Sequence, residues 1–202
     1  MKTPSSGKRH ALLLYHRAMG RLGLPTLLLG LLLATLWGWN AFIGTPLVML
    51  KNSSLLLIAA CVTLLFSLFA FISRYRSYVQ VHRDHLRLVT PFLPLRVSFR
   101  RIRRAHPVDF HTLFPPSEAS WAQRSFLEPF YGQTALVIEL NGYPMPRAIL
   151  RLFLAPQMFS RNTTGLVFLV PNWMALSTEL DSYWGVWQQA QTNRRPPPGS
   201  YR

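Results

Sequence analysis

Tyr78–Ala105 reads YVQVHRDHLRLVTPFLPLRVSFRRIRRA, and the spacing of its apolar residues decides the fold. Val79 and Val81 alternate with Gln80 and His82. Arg83-Asp84 then turns the chain into Leu86 and Leu88, which alternate with Arg87. A period of two is the signature of a half-buried strand, so the segment opens with a β-hairpin. Pro91 to Pro94 interrupts the pattern. Val97 and Phe99 then alternate with Arg96, Ser98 and Arg100, a third strand that runs into Arg100, Arg101, Arg103 and Arg104 around Ile102.

Upstream the alternation gives way to solid apolar runs. No charged side chain lies between Arg21 and Lys51, and Leu24–Ile43 (LPTLLLGLLLATLWGWNAFI) has the length a helix needs to cross a ~30 Å hydrocarbon layer. The second run, Ser54–Ser73 (SLLLIAACVTLLFSLFAFIS), holds twelve Leu, Ile, Val and Phe residues. At roughly −0.3 to −0.6 kcal/mol each these favour insertion by several kcal/mol. The expectation is a transmembrane helix at 24–43, a short outer loop at 44–53 and a second transmembrane helix at 54–73. Lys2, Lys8, Arg9, Arg17 and Arg21 precede the first span, and Arg74, Arg76 and Arg83 follow the second. The loop carries only Lys51. The positive-inside rule then puts both termini of a two-span, multi-pass cell-membrane protein in the cytoplasm, with the Gly44-Thr45-Pro46 turn outside and Trp37 and Trp39 at the outer interface. Asn52-Ser53-Ser54 matches a glycosylation acceptor by chance in so short a loop. Gly30, Gly38, Ala59, Ala60, Ser67 and Ala70 are small enough for close helix packing. The apolar run around Cys61 makes that residue packing, and a lone cysteine excludes a disulfide within the chain and any cysteine zinc site. Residues 1–23 read as a basic cytoplasmic or interfacial segment, and its stretch HALLLYHRAMGRLG either as a short helix lying in the interface or equally as an extension of the first span, with Gly20, Gly23 and Pro25 arguing for a break between the two.

Downstream, strands are expected at Ala135–Leu140, closed by Asn141-Gly142, at Ala148–Phe153 and at Gly165–Val170. From Asn172, a helix N-cap, Trp173, Leu176, Leu180, Tyr183, Trp184 and Trp187 recur at three- and four-residue steps as one apolar stripe. Residues 191–202, with Arg194-Arg195-Pro196-Pro197-Pro198, read as a disordered tail.

Tyr78–Ala105 resembles the opening of bacterial PH-like (pleckstrin-homology-like) domains: a first strand, a turn with a charged pair, a second strand, then a V-x-F/W-x-x-I pattern at Val97, Phe99 and Ile102. Two spans directly before that opening resemble the common arrangement of those inner-membrane proteins. The resemblance implies a membrane α-helical hairpin followed, at 77–190, by an α+β, mainly-β cytoplasmic domain. That domain would be a bent antiparallel sheet or partial barrel with a C-terminal amphipathic helix. A long loop at 107–133 departs from the pattern. It carries Phe110, Phe114, Trp121, Phe126, Phe130 and Tyr131, which either complete the core or form a partner-binding loop.

Chemistry is sparse. Glycine loops for phosphate are absent, His82-Arg83-Asp84-His85 reads as a solvated turn, and His106, Asp109 and His111 lack a spaced nucleophile or second ligand set. Neither an enzyme, nor a cofactor, nor a metal is expected. Charge is the stronger signal: 22 Lys and Arg against 7 acids give +15, and nine arginines fall between Arg74 and Arg104 against one acid, Asp84. Such an excess calls for an anionic partner. Next to two spans that partner is membrane lipid, with Arg74, Arg76, Arg100, Arg101, Arg103 and Arg104 as contacts. Nucleic acid is disfavoured because no groove-reading helix is visible. The expected function is a membrane-anchored PH-like interaction module for a protein partner or the anionic membrane surface. The alternative is an accessory subunit held in a larger membrane complex by its two helices.

Overall fold

The computed structural model of the chain describes residues 6–42, 53–161 and 163–194. The expected outer turn at 44–46, Lys51 and Asn52, and the Arg195–Pro198 part of the tail lie outside the described residues. The structure is a mixed α+β arrangement in two compact units. One joins Met1–Leu13 to Tyr78–Arg202, and the other is Leu14–Ser77.

The second unit is a pair of helices, α1 (Leu13–Phe42) and α2 (Ser53–Arg76), each long and apolar enough to cross a membrane. Only 11% and 22% of their most apolar windows is buried, so most of the leucine surface lacks protein cover. The helices meet through small groups. Ala60 and Ala70 are buried, and the buried Ser67 hydroxyl donates to the Gly23 carbonyl at 2.9 Å. Gly30 allows a close approach: a Cβ there would lie 2.8 Å from Leu64 Cδ2 and push that side chain aside. Gly38 has open space around it instead, and Cys61 is exposed, because it falls on the helix face turned away from α1. The break expected at Gly20, Gly23 and Pro25 does not occur. The helix runs on through Pro25, and beside it the Thr26 hydroxyl donates to the Leu22 carbonyl at 2.7 Å and the Ser67 hydroxyl to the Gly23 carbonyl.

The first unit begins with a correction. The segment expected in the interface contains strand β1 (Ser6–Ala11), which pairs antiparallel with β2 (Tyr78–His82). The meander continues through β3 (His85–Val89) and β4 (Pro94–Ser98) as a sheet ordered β1-β2-β3-β4. The hairpin is therefore an insertion between two neighbouring strands. Ala11 pairs with Tyr78, so the chain leaves the sheet towards α1 and returns from α2 at one point on its rim. β1 lacks a clear apolar alternation and is held by polar anchors. Glu179 accepts the Lys8 backbone N–H at 2.8 Å and sits 3.0 Å from His10 Nε2, while Gln80 Nε2 donates to the Gly7 carbonyl at 2.8 Å.

β4 ends at Ser98, and Phe99–Arg101 is a 3-10 turn in which the Ser98 hydroxyl accepts the Arg100 N–H. β5 (Ile102–Asp109), β6 (Thr134–Leu140) and β7 (Gly165–Phe168) then form a second antiparallel sheet. Ala135, Leu136, Val137 and Ile138 are all buried, so β6 is covered on both faces. Much of the 107–133 segment is not loop. β5 extends to Asp109, and α3 (Phe110–Leu113) and α4 (Trp121–Leu127) follow, the latter begun by a Ser120–Gln123 capping box. The strand expected at Ala148–Phe153 is a helix, α5 (Arg147–Phe153). Its Leu150 and Leu154 are buried at a spacing of four while Ala148, Arg151 and Leu152 are exposed, a helical rather than a two-residue period.

The stripe from Trp173 forms α6 (Trp173–Arg194), which runs into the stretch expected to be a disordered tail. Asn172 Oδ1 accepts the Ala175 N–H at 2.9 Å, a true N-cap. Leu176, Leu180 and Tyr183 are buried, Trp187 meets the Phe99 ring edge-on at 6.2 Å between centroids, and α6 lies against β2, β5 and β6.

Candidate functional site

The inward face of β2–β4 is apolar: Val79, Val81, Leu86, Leu88, Leu95 and Val97 are each at most 3% exposed. Side chains of alternate residues therefore collect on the outward face. Register aligns them in rows. Arg9 pairs with Gln80, Gln80 with Arg87, and Arg87 with Arg96, so three arginines lie across the four strands in a single transverse row. On one side of it lies the row Ala11, Tyr78, Val89, Pro94, at the rim where the chain enters and leaves the helical hairpin. The Arg9 guanidinium sits over the Tyr78 ring, 4.8 Å from its centroid. The turn joining β3 and β4 projects from the same rim and exposes Phe92.

On the other side of the arginine row the His82 and His85 rings stack, 4.8 Å apart and 6° from parallel. Burial, then the neighbouring His85 and Arg87 charges, hold the His82 pKa below its ordinary value of 6.5, with Arg96 adding in the same direction and Asp84 opposing. The Asp84 carboxylate in turn sits below its ordinary 3.8, chiefly through its 2.6 Å hydrogen bond with His85. An imidazole that senses both Arg87 and Arg96 marks the positive potential of this face. The turn residues Arg83 and Asp84 are exposed, as expected of a solvated turn, while the flanking His82 and His85 are half-buried.

The expected cation contacts divide. Arg100 and Arg101 lie exposed in the 3-10 turn, and Arg101 Nη1 donates to the Tyr143 carbonyl at 2.7 Å. Arg103 and Arg104 are both exposed because a register shift between Ile102 and Arg104 interrupts the alternation that would have turned one of them inward. All four follow Ser98, which is itself four residues, or about 13 Å of strand, from the rim residue Pro94. Arg74 Nε donates to His16 Nε2 at 2.9 Å, and Arg76 is exposed at the end of α2. Arg87 and Arg96 were legible in the alternation of their strands. Arg9 was not, since nothing in SGKRHA announces a strand.

The aromatic segment also divides. Phe110, Phe114 and Phe130 are buried, with Phe126 edge-on to Phe130 and Tyr131 against Phe110, so these complete the core. Trp121, 85% exposed, is the one ring of the set left to solvent. Of the histidine and aspartate cluster, Asp109 accepts from the Thr134 hydroxyl at 3.4 Å and His111 packs on the Tyr131 ring. Among the described residues no three His, Cys, Asp or Glu side chains converge. Comparison with family models, with curated proteins and with solved structures yields no match to this chain.

Proposed function

We propose that the chain is a membrane-anchored PH-like interaction module that presents the outward face of its first sheet to an anionic surface, with the cytoplasmic leaflet as that surface. The four-stranded meander, the three-stranded meander and the closing C-terminal helix are the element order of a PH-like domain, here with a membrane hairpin inserted between the first two strands. The supporting observation is the arginine row Arg9, Arg87, Arg96, two residues from the rim that joins the hairpin. Two residues of strand are about 7 Å, within a Debye length of ~8 Å at physiological ionic strength. A hairpin anchored in the bilayer holds that row where each cation gains up to roughly 1 kcal/mol from anionic headgroups. Phe92 on the same rim is suited to the interface, and Arg76 adds charge at the junction. Strands β1 and β2 share backbone hydrogen bonds, so they lie on one side of the membrane, and an even number of spans between them satisfies this. With the positive-inside bias, that side is the cytoplasm.

The reading as an accessory subunit held by its helices has less support. Four of the six small residues suited to close helix contact, Gly30, Ala60, Ser67 and Ala70, are used within the hairpin itself, leaving Gly38 and Ala59 on open faces. The test uses the full chain in nanodiscs of neutral phosphatidylcholine, with or without phosphatidylglycerol. A dye on the sheet domain should approach headgroup-labelled lipid only in the anionic discs, and approach should fade with salt. Equal approach in both lipids would refute the proposal.

A further inference from the structure

A second feature of the sheet domain is a cavity of about 390 Å³ between α4 and α5, partly open to solvent. Its apolar wall comes from Phe114, Leu127 and Phe159, all nearly fully buried. Its polar side comes from Arg147 and Arg151, one helical turn apart on α5, and from Arg161. Arg161 is committed: its guanidinium pairs with Glu118 and lies over the Phe114 ring at 5.3 Å. Arg147 and Arg151 have no acidic partner among the described residues, and no carboxylate lines the cavity. A cavity of this size falls within the range of small-molecule sites. Its lining asks for two things at once, an anion at one end and hydrocarbon at the other.

We infer that this cavity binds an amphiphile with one anionic head and a short apolar body, the head held by Arg147 and Arg151 and the body against Phe114, Leu127 and Phe159. At ~30 Å³ for each water-sized volume the cavity takes roughly thirteen non-hydrogen atoms, which a carboxylate with about ten carbons would fill. The short helix explains how the charges are paired. Pro146 begins it, Leu150 and Leu154 anchor it to the core, and the i, i+4 spacing places both guanidinium groups on one edge. An anion there would form charge-assisted hydrogen bonds with both guanidinium groups.

The test uses the full chain in neutral phosphatidylcholine nanodiscs with a photoreactive decanoate carrying a diazirine at its far end, followed by peptide mapping. Labelling is expected within residues 114–127 and 156–161, competed by unlabelled decanoate and not by decanol. Arg147→Gln with Arg151→Gln, both at exposed positions, should reduce it at least about tenfold through loss of the charged hydrogen bonds. Ala119→Phe, which fills the cavity and leaves the charges in place, should reduce it as well, with circular dichroism showing both proteins folded. Labelling confined to α1 and α2, equal labelling by the neutral alcohol analogue, or labelling unchanged in the folded variants would overturn the inference.

Discussion

Arg87→Glu separates the stability of the sheet from its proposed role, because the two respond with opposite signs. Arg87 and Arg96 are cross-strand partners, a like-charge pair in direct register. Like charges opposite each other destabilise a sheet, whereas an opposite pair contributes roughly 0.2–1 kcal/mol. The substitution should therefore raise stability by about 0.5–1 kcal/mol, or about 2–4 °C in the melting temperature of a domain this size. Attraction to an anionic leaflet should fall. The row loses two units of charge, each worth up to roughly 1 kcal/mol at the surface and less away from it, so the loss is between about 1 and 2 kcal/mol. That is a roughly 5- to 30-fold shift away from the docked state. A third readout is local: the Arg87 charge helps hold the His82 pKa down, so replacing it with a carboxylate should move that pKa upward in an NMR titration. Docking is measured by energy transfer to headgroup-labelled lipid from a dye on Asn141→Cys, in a Cys61→Ser background, with the full chain in phosphatidylglycerol-containing nanodiscs. Melting in neutral discs gives the stability. A lower melting temperature would refute the register argument, and unchanged transfer would refute docking through this face.

Glu179→Ala should release β1 at a cost of about 1–3 kcal/mol, since the Lys8 N–H and His10 lose their shared acceptor, and hydrogen exchange should accelerate at residues 6–11 ahead of β2–β4. Gly165→Ala should lower stability by about 1–3 kcal/mol in thermal melts, because the new Cβ would lie 2.7 Å from the Ile138 carbonyl oxygen, a backbone atom held in the β6–β7 ladder. Acidification should destabilise the domain in two stages. The lowered pKa of His82 means the unfolded chain takes its proton first, so stability is full above pH 6.5 and falls as pH drops towards the folded value. Asp84, also lowered, adds a loss only below pH 3.8, and His82→Gln should flatten the first stage of a stability-versus-pH curve while leaving the second.

Local pattern carried a good part of this architecture. The two long apolar helices, the β2–β3 hairpin, the N-cap at Asn172 and the apolar stripe of α6 each declare themselves within a few neighbouring residues, where periodicity and chemistry agree. Other elements depend on distant partners. Ala148–Phe153 reads as a strand in so short an apolar run, and only the burial of Leu150 and Leu154 at a spacing of four makes it the helix it is. The 107–133 segment sends three aromatic rings inward and leaves Trp121 out, a sorting made by the core it covers.

The sequence by itself determined two long apolar helices followed by three alternating, basic strands, because charge exclusion over some twenty residues and a two-residue period are properties of contiguous chain. Only the tertiary structure decided that SGKRHA is the first strand of that sheet. A six-residue stretch without apolar alternation has no local reason to extend. It does so because β2 offers an unpaired edge and Glu179 and Gln80 wait with acceptor and donor, groups far away along the chain. That pairing brings Arg9 into line with Arg87 and Arg96, and makes the hairpin an insertion in the sheet rather than a leader before it.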